Sequence, residues 1–145
     1  MLSCAGAAAF AFAGAEQPGA LEVYPPTARG CFNTTLDHFR FDSDAQLCLR
    51  YFGYDGFADT SSAPVVLYTG NEGALELFYN NSGGVFELAR AISARVLFIE
   101  HRYYGGSLPF GAAGSFSRTG LRYLSIEQAY CRSVSQSYAI PCREE

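Results

Sequence analysis

The 145-residue sequence predicts an α/β fold with a mixed sheet and at least one buried parallel strand pair, on three observations. Residues 63–68 and 95–100 carry continuous rather than alternating apolar runs, the pattern of strands covered on both faces. Between them Val85, Leu88, Ala89 and Ile92 recur at helical spacing across residues 84–94. Upstream, residues 33–41 and 46–54 are short β-branched or aromatic runs separated by the turn-forming Asp42-Ser43-Asp44, which reads as a β-hairpin. A strand–helix–strand unit places its strands parallel with a right-handed crossover and opens a crevice at their carboxyl ends.

The elements follow in order. Residues 1–15 are uncharged and small to apolar, with A-x-A patterns at Ala11-Phe12-Ala13 and Ala13-Gly14-Ala15, so a secretory signal peptide is expected there. Residues 16–31 hold Pro18, Gly19, Pro25 and Pro26 with no apolar period and are expected to form an extended linker, structure beginning near Cys31. Asp55-Gly56 ends the second strand of the hairpin, and the strand at 63–68 stops at Thr69-Gly70-Asn71-Glu72-Gly73. Residues 111–120 read as a Gly/Ser-rich loop. Ser125 followed by Gln128 is a capping-box pattern opening a last helix, supported as far as Ala129. Residues 130–145 have no apolar period and read as a divergent tail, leaving 32–129 as the folded unit.

Composition excludes several functions. Ten Lys+Arg against 14 Asp+Glu give a net charge of −4, and every positive charge is a singly placed Arg, so neither a phosphate-tracking nor a membrane-surface basic patch is expected. Nucleic acid and membrane are therefore not expected partners. Aromatic residues make up 15% of the chain, which marks a sequence built to bury a core. Five cysteines without a C-x-x-C pair and only two histidines, His38 and His101, provide no ligand set for a structural metal, and neither metal nor other cofactor is expected. Cys31 and Cys48 flank the hairpin and could be bridged in an oxidising compartment, although connectivity is not readable from sequence. The sequons at Asn33 and Asn80 fit a secreted glycoprotein, and no stretch is long and apolar enough to span a bilayer.

Two segments carry chemistry. In Tyr68-Thr69-Gly70-Asn71-Glu72-Gly73 a strand runs into a turn with two glycines, so backbone N–H groups can face the crevice without a shielding Cβ, as an oxyanion hole requires; a plain connecting turn would use the same residues. In Glu100-His101-Arg102-Tyr103-Tyr104-Gly105-Gly106-Ser107 an acid, an imidazole, a guanidinium and two phenols follow the second strand. His101 could act as a general base, but a Glu–Arg or His–backbone network bracing the loop is the favoured reading, because buried polar groups must be paired in any case. No G-x-S-x-G is present, and Gly105-Gly106-Ser107-Leu108-Pro109 joins no strand to a helix, so Ser107 is not read as a nucleophile. His38 neighbours Asp37, but adjacent strand residues point to opposite faces, and it is read as structural.

Taken together, Thr35-Leu36-Asp37-His38-Phe39, Leu49-Arg50-Tyr51, Tyr68-Thr69-Gly70-Asn71-Glu72-Gly73, Glu100-His101-Arg102-Tyr103-Tyr104-Gly105 with Ser107-Leu108-Pro109-Phe110-Gly111, and Tyr123-Leu124-Ser125-Ile126-Glu127-Gln128-Ala129 resemble, in order and spacing, the N-terminal part of the lysosomal Pro-X carboxypeptidase, dipeptidyl peptidase II and thymus-specific serine peptidase family. The resemblance covers residues 32–129. It implies the early portion of an α/β-hydrolase fold with an inserted helical domain, a Ser-Asp-His triad, and exopeptidase action beside proline in lysosomal or other secretory compartments. It further implies that Gly70 and the Asn71 N–H form part of the oxyanion hole, with Glu72, Glu100, His101, Arg102, Tyr103 and Tyr104 lining the crevice beside it.

The family pattern of a later strand and a Gly-Gly-Ser-Tyr-Gly-Gly elbow does not follow Ala129 here, so the triad Ser, Asp and His are expected to be absent and these residues alone inactive. Without further parallel strands, the strands at 65–68 and 96–99 are expected to be partly uncovered. The expected function is an N-terminal portion of a serine exopeptidase, carboxypeptidase or dipeptidyl-peptidase in type, with a peptide substrate for the complete enzyme. The alternative is a short secreted binding or regulatory product whose exposed sheet edge is covered by a partner or a homodimer.

Overall fold

The computed structural model describes residues 24–40 and 42–131. The expected signal peptide, the first part of the linker and Cys142 lie outside the described residues. Four strands, β1 (Ala28–Thr35), β2 (Gln46–Tyr54), β3 (Val65–Tyr68) and β4 (Arg95–Ile99), form one sheet in the order β1-β2-β4-β3. Helices α1 (Leu75–Asn81) and α2 (Gly83–Ala91) connect β3 to β4, and the short α3 (Gly111–Ser115) and a 3-10 turn at Gly120–Tyr123 follow.

The hairpin forms as expected, with β1 and β2 antiparallel. Its first strand is displaced towards the N-terminus, however. It begins at Ala28 and ends at Thr35, so 36–40 is a turn, and the last residues of the expected linker form an edge strand. The Thr27 N–H already bonds Gly53 O at 2.9 Å, and Tyr24 stacks on Phe86 with ring centroids 4.8 Å apart. Local polarity concealed this strand because its outer side has no neighbour to pack against. Cys31 and Cys48 are joined by a disulfide across the hairpin, Cα atoms 5.5 Å apart at a separation of 17 residues. Closing a loop of that length stabilises the fold by about 3 kcal/mol in the chain-entropy account.

The parallel pair is present, β3 running beside β4 with Tyr68 opposite Phe98. The two strands differ in cover. β4 lies between β2 and β3, and Val96, Phe98 and Ile99 are buried, contrary to the expectation that this strand would be partly uncovered. β3 lies at the other edge of the sheet, and its apolar run is not fully buried: Val66, Leu67 and Tyr68 are half-buried and Val65 remains 54% exposed. The connecting segment is two helices rather than one. Asn80-Asn81-Ser82-Gly83-Gly84, rich in poor helix formers, breaks it and leaves α1 as an element the apolar period did not reveal. Within α2, Phe86 and Ala89 enter the core, whereas Leu88, and Ile92 just past the helix, face outward. Residues 111–120, expected as a loop, contain α3.

Strand alternation divides the core between the sheet's faces. Leu47 and Leu49 of β2 join Leu36 on one face, while Phe52 of β2 and Val96 and Phe98 of β4 meet Leu75, Tyr79, Phe86 and Ala89 of the helices on the other. Burying each of these large side chains contributes roughly 1.5–3 kcal/mol. Tyr79 is the imperfect member, because its buried hydroxyl has no hydrogen-bond partner among the described residues and burial pushes its pKa up to about 12. The raised folded-state value means this phenol's contribution is intact below the ordinary tyrosine range and is lost as pH climbs from about 10 towards about 12. Tyr79→Phe is expected to stabilise the protein by about 1 kcal/mol and to flatten this alkaline loss, as urea melts at neutral and alkaline pH would show. A destabilised variant with an unchanged alkaline profile would contradict it.

Candidate active-site crevice

The parallel register of β3 and β4 delivers Thr69-Gly70 and Glu100-His101 side by side at the carboxyl ends of the strands. Gly70 has φ +88°, and a Cβ on it would lie 2.5 Å from Ile99 O and 2.7 Å from His101 N, so the close approach of turn to strand end requires glycine. Beyond it, Asn71 Oδ1 accepts the Glu72 N–H at 2.8 Å and Asn71 O accepts the Gly73 N–H at 2.8 Å, which fixes the turn from within. Among the described residues no acceptor takes the Asn71 N–H.

The turn borders a crevice of about 450 Å³. Six of the residues expected there line it: Gly70, Glu72, Glu100, His101, Arg102 and Tyr104. Asn71 is exposed beside the crevice and is not part of its lining. Tyr103, expected on the wall, is instead buried with φ +71°, and its hydroxyl donates to Gly120 O, because the left-handed backbone turns its ring inward beneath the loop. Thr69, with Leu49, Leu67 and Ile99 from the strands, and Leu124, Ser125, Ile126, Ala129 and Tyr130 complete the lining. The latter group was not foreseen as part of a site. Of the capping box expected at Ser125 the N-cap half is present, the Gln128 N–H bonding Ser125 Oγ at 3.3 Å, while the Gln128 side chain turns to Asp37 and His38 instead of back to Ser125; the pattern signals where a helix starts but not where it docks. Residues 126–131 are helical.

Two buried polar networks hold the walls. Glu100, 2% exposed, accepts the Leu75 N–H at 3.0 Å and Arg50 Nη1 at 3.2 Å on Oε1, and the Gly106 N–H at 3.0 Å and Ser107 Oγ at 2.7 Å on Oε2. Arg50 Nη2 also binds Glu76. Its hydrogen bond to Glu76 and the nearby Glu100 charge raise the Arg50 pKa against the opposing effect of burial, while Glu76 is held below the ordinary carboxylate range by that bond. Ser107 Oγ accepts the Arg50 N–H at 3.0 Å, so the hydroxyl is hydrogen-bonded on both sides.

The second network centres on Arg102, also 2% exposed. Nη1 donates to Leu36 O at 3.2 Å, Tyr123 O at 2.9 Å and Gln128 Oε1 at 3.5 Å, and Nη2 donates to Thr35 O at 3.3 Å. Burial pushes its pKa down. Gln128 in turn donates to Asp37 Oδ1 at 2.6 Å and accepts the His38 N–H at 2.9 Å. His101 Nδ1 lies 2.7 Å from Arg102 O. The bracing network thus exists, but Glu100 engages Arg50 and Arg102 engages carbonyls, rather than the two pairing within the loop.

The mixed sheet and its strand-end crevice define an α/β protein consistent with part of a hydrolase-like fold, and the described residues contain no cluster of metal-ligating side chains. Residues 34–140 match the family described as serine carboxypeptidase S28, and the chain belongs to that family of serine peptidases. It is 40% identical over 94 residues to lysosomal Pro-X carboxypeptidase of Bos taurus, covering 65% of this chain and 19% of that protein. It is 41% identical over 100 residues to prolyl carboxy peptidase like protein 5 of Caenorhabditis elegans, with 69% and 20% covered, and 33% identical over 112 residues to thymus-specific serine protease of Mus musculus, with 77% and 21% covered. The chain therefore spans about a fifth of the length of the curated relatives it matches.

Proposed function

We propose that this chain forms the front of a serine exopeptidase acting beside proline, Gly70 and the Asn71 N–H supplying half of an oxyanion hole. The observation that carries the reading is the Gly70 turn itself, held against the end of β4 with an uncommitted amide next to the crevice. In acyl transfer, a backbone N–H already fixed where negative charge develops stabilises the tetrahedral intermediate without reorganising. The hydrogen bonds described for Ser107, Glu100 and Arg102 serve the crevice walls, and on this reading the nucleophile, acid and base belong to residues outside these 145, so that the chain alone would not hydrolyse peptides. Proline preference is supported by the names of the Pro-X carboxypeptidase and prolyl carboxy peptidase like relatives, and a secretory or lysosomal location by the lysosomal relatives and the Cys31–Cys48 disulfide. Asn33 and Asn80 are both exposed, as N-glycan acceptors must be.

Asn71→Pro, introduced into the polypeptide that carries the triad, is expected to lower kcat about 100-fold with KM little changed, the loss typical of one oxyanion donor. Asn71→Ala keeps the N–H and is expected to stay within a few-fold of wild type. Full activity of the proline variant on a proline-containing peptide would overturn the assignment.

A further inference from the structure

Glu100 grips the Gly70 turn from both ends. Its main chain is the surface on which the turn rests, since a Cβ on Gly70 would come within 3.2 Å of the Glu100 carbonyl carbon as well as meeting Ile99 O and His101 N. Its carboxylate reaches past the turn to accept the Leu75 N–H at 3.0 Å, at the first residue of α1, where Ala74 offers no side-chain cap. Leu75 and Glu100 are both buried, so this bond has no water to compete with it. The remaining bonds, to Arg50, Gly106 and Ser107, hold the carboxylate in one orientation. The Glu100 N–H, bonded to Arg50 O at 2.8 Å, anchors the backbone to β2.

We infer that Glu100 is the positioning residue of the oxyanion turn, fixing residues 70–74 between its own backbone and its carboxylate. The inference rests on the reading of that turn as an oxyanion donor. Glu100 touches no reacting atom; it acts through the rigidity of the amide at Asn71, which has no partner among the described residues to hold it.

The test pairs amide hydrogen exchange in this chain with kinetics in the polypeptide carrying the triad. Glu100→Gln keeps size but replaces one acceptor oxygen by an NH₂ that faces other donors. Exchange at Leu75 and across 70–74 is expected to rise about tenfold or more, while β1 and β2 amides change little, because a hydrogen bond to a charged group is replaced by a weaker neutral one. Should Glu100→Gln fail to fold, Ser107→Ala, which removes one donor to Oε2 and leaves the carboxylate in place, is expected to give the same local rise by a few-fold. Unchanged exchange at Leu75 in the folded variant overturns the inference. In the kinetic arm the expected result is a fall in kcat at constant KM, which a general loss of stability would not produce. A loosened turn with kcat unchanged would uphold the grip and overturn the oxyanion reading on which it rests.

Discussion

Gly70→Ala is expected to lower folding stability by about 4 kcal/mol, from two effects that add. The first is conformational: φ +88° lies where only glycine is comfortable, and a side chain there costs about 1–3 kcal/mol. The second is steric, because the new Cβ would sit 2.5 Å from Ile99 O and 2.7 Å from His101 N. Both obstacles are main chain, and the strand end cannot withdraw without breaking the Glu100 N–H to Arg50 O bond at 2.8 Å. Relief must therefore come from the turn moving out of the crevice. Urea unfolding should show a lowered midpoint at unchanged slope. Gly84→Ala is the matched comparison, since nothing lies within 4 Å of its Cβ position in α2, and there alanine should leave stability equal or raise it by about 0.5 kcal/mol. Equal midpoints for the two variants would mean that the close approach at Gly70 is not constraining.

Arg102→Met should be of similar size, about 3–5 kcal/mol, for a different reason. Methionine retains most of the buried stem but none of the donors. Leu36 O, Tyr123 O, Thr35 O and Gln128 Oε1 would each lose the guanidinium bond described above, in a region with little access to water. Lysine is not a conservative replacement, since a single ammonium cannot span four acceptors set around a planar fork. The diagnostic readout is where the structure loosens. Proteolysis and hydrogen exchange should rise first in the turn at 36–40 and in the helix at 126–131, which meet only through Arg102 and Gln128 among the bonds described. A uniform loss across the sheet would instead point to simple core disruption.

The sequence was informative wherever pattern and local chemistry coincide. The apolar runs at 63–68 and 95–100 and the helical spacing between them identified the parallel pair, and the turn-forming Asp42-Ser43-Asp44 identified the hairpin. The glycine turn was visible because its need for glycine is local. What stayed hidden depends on neighbours: the first residues of β1, 28–31, read as linker because their outer side meets solvent, and α1 was not assigned because its seven residues show too little period. The partners of Glu100 and Arg102 were hidden for the same reason. The loop's chemistry announced a network, but Arg50 and Gln128, which complete it, lie 50 and 26 residues away along the chain. Tyr103 was misplaced because its left-handed backbone, unusual for a bulky residue, reverses the direction its ring takes.

The clasp of Asp37 by Gln128 spans 91 residues, which gives it a kinetic meaning as well as a structural one. Chain synthesis runs from the amino end, so the β1–β2 hairpin, whose disulfide spans only 17 residues, can close while most of the crevice is still unmade. The Asp37 carboxylate and the Arg102 guanidinium must then wait for residue 128 before either has its full set of bonds. Earlier still, before residue 123 is made, Leu36, Leu47 and Leu49 lack the Tyr123 side chain that packs over them. Assembly of this wall is therefore a late, long-range step, and a chain stalled before it would present a finished hairpin with an open apolar face, the form most exposed to aggregation or retention during folding.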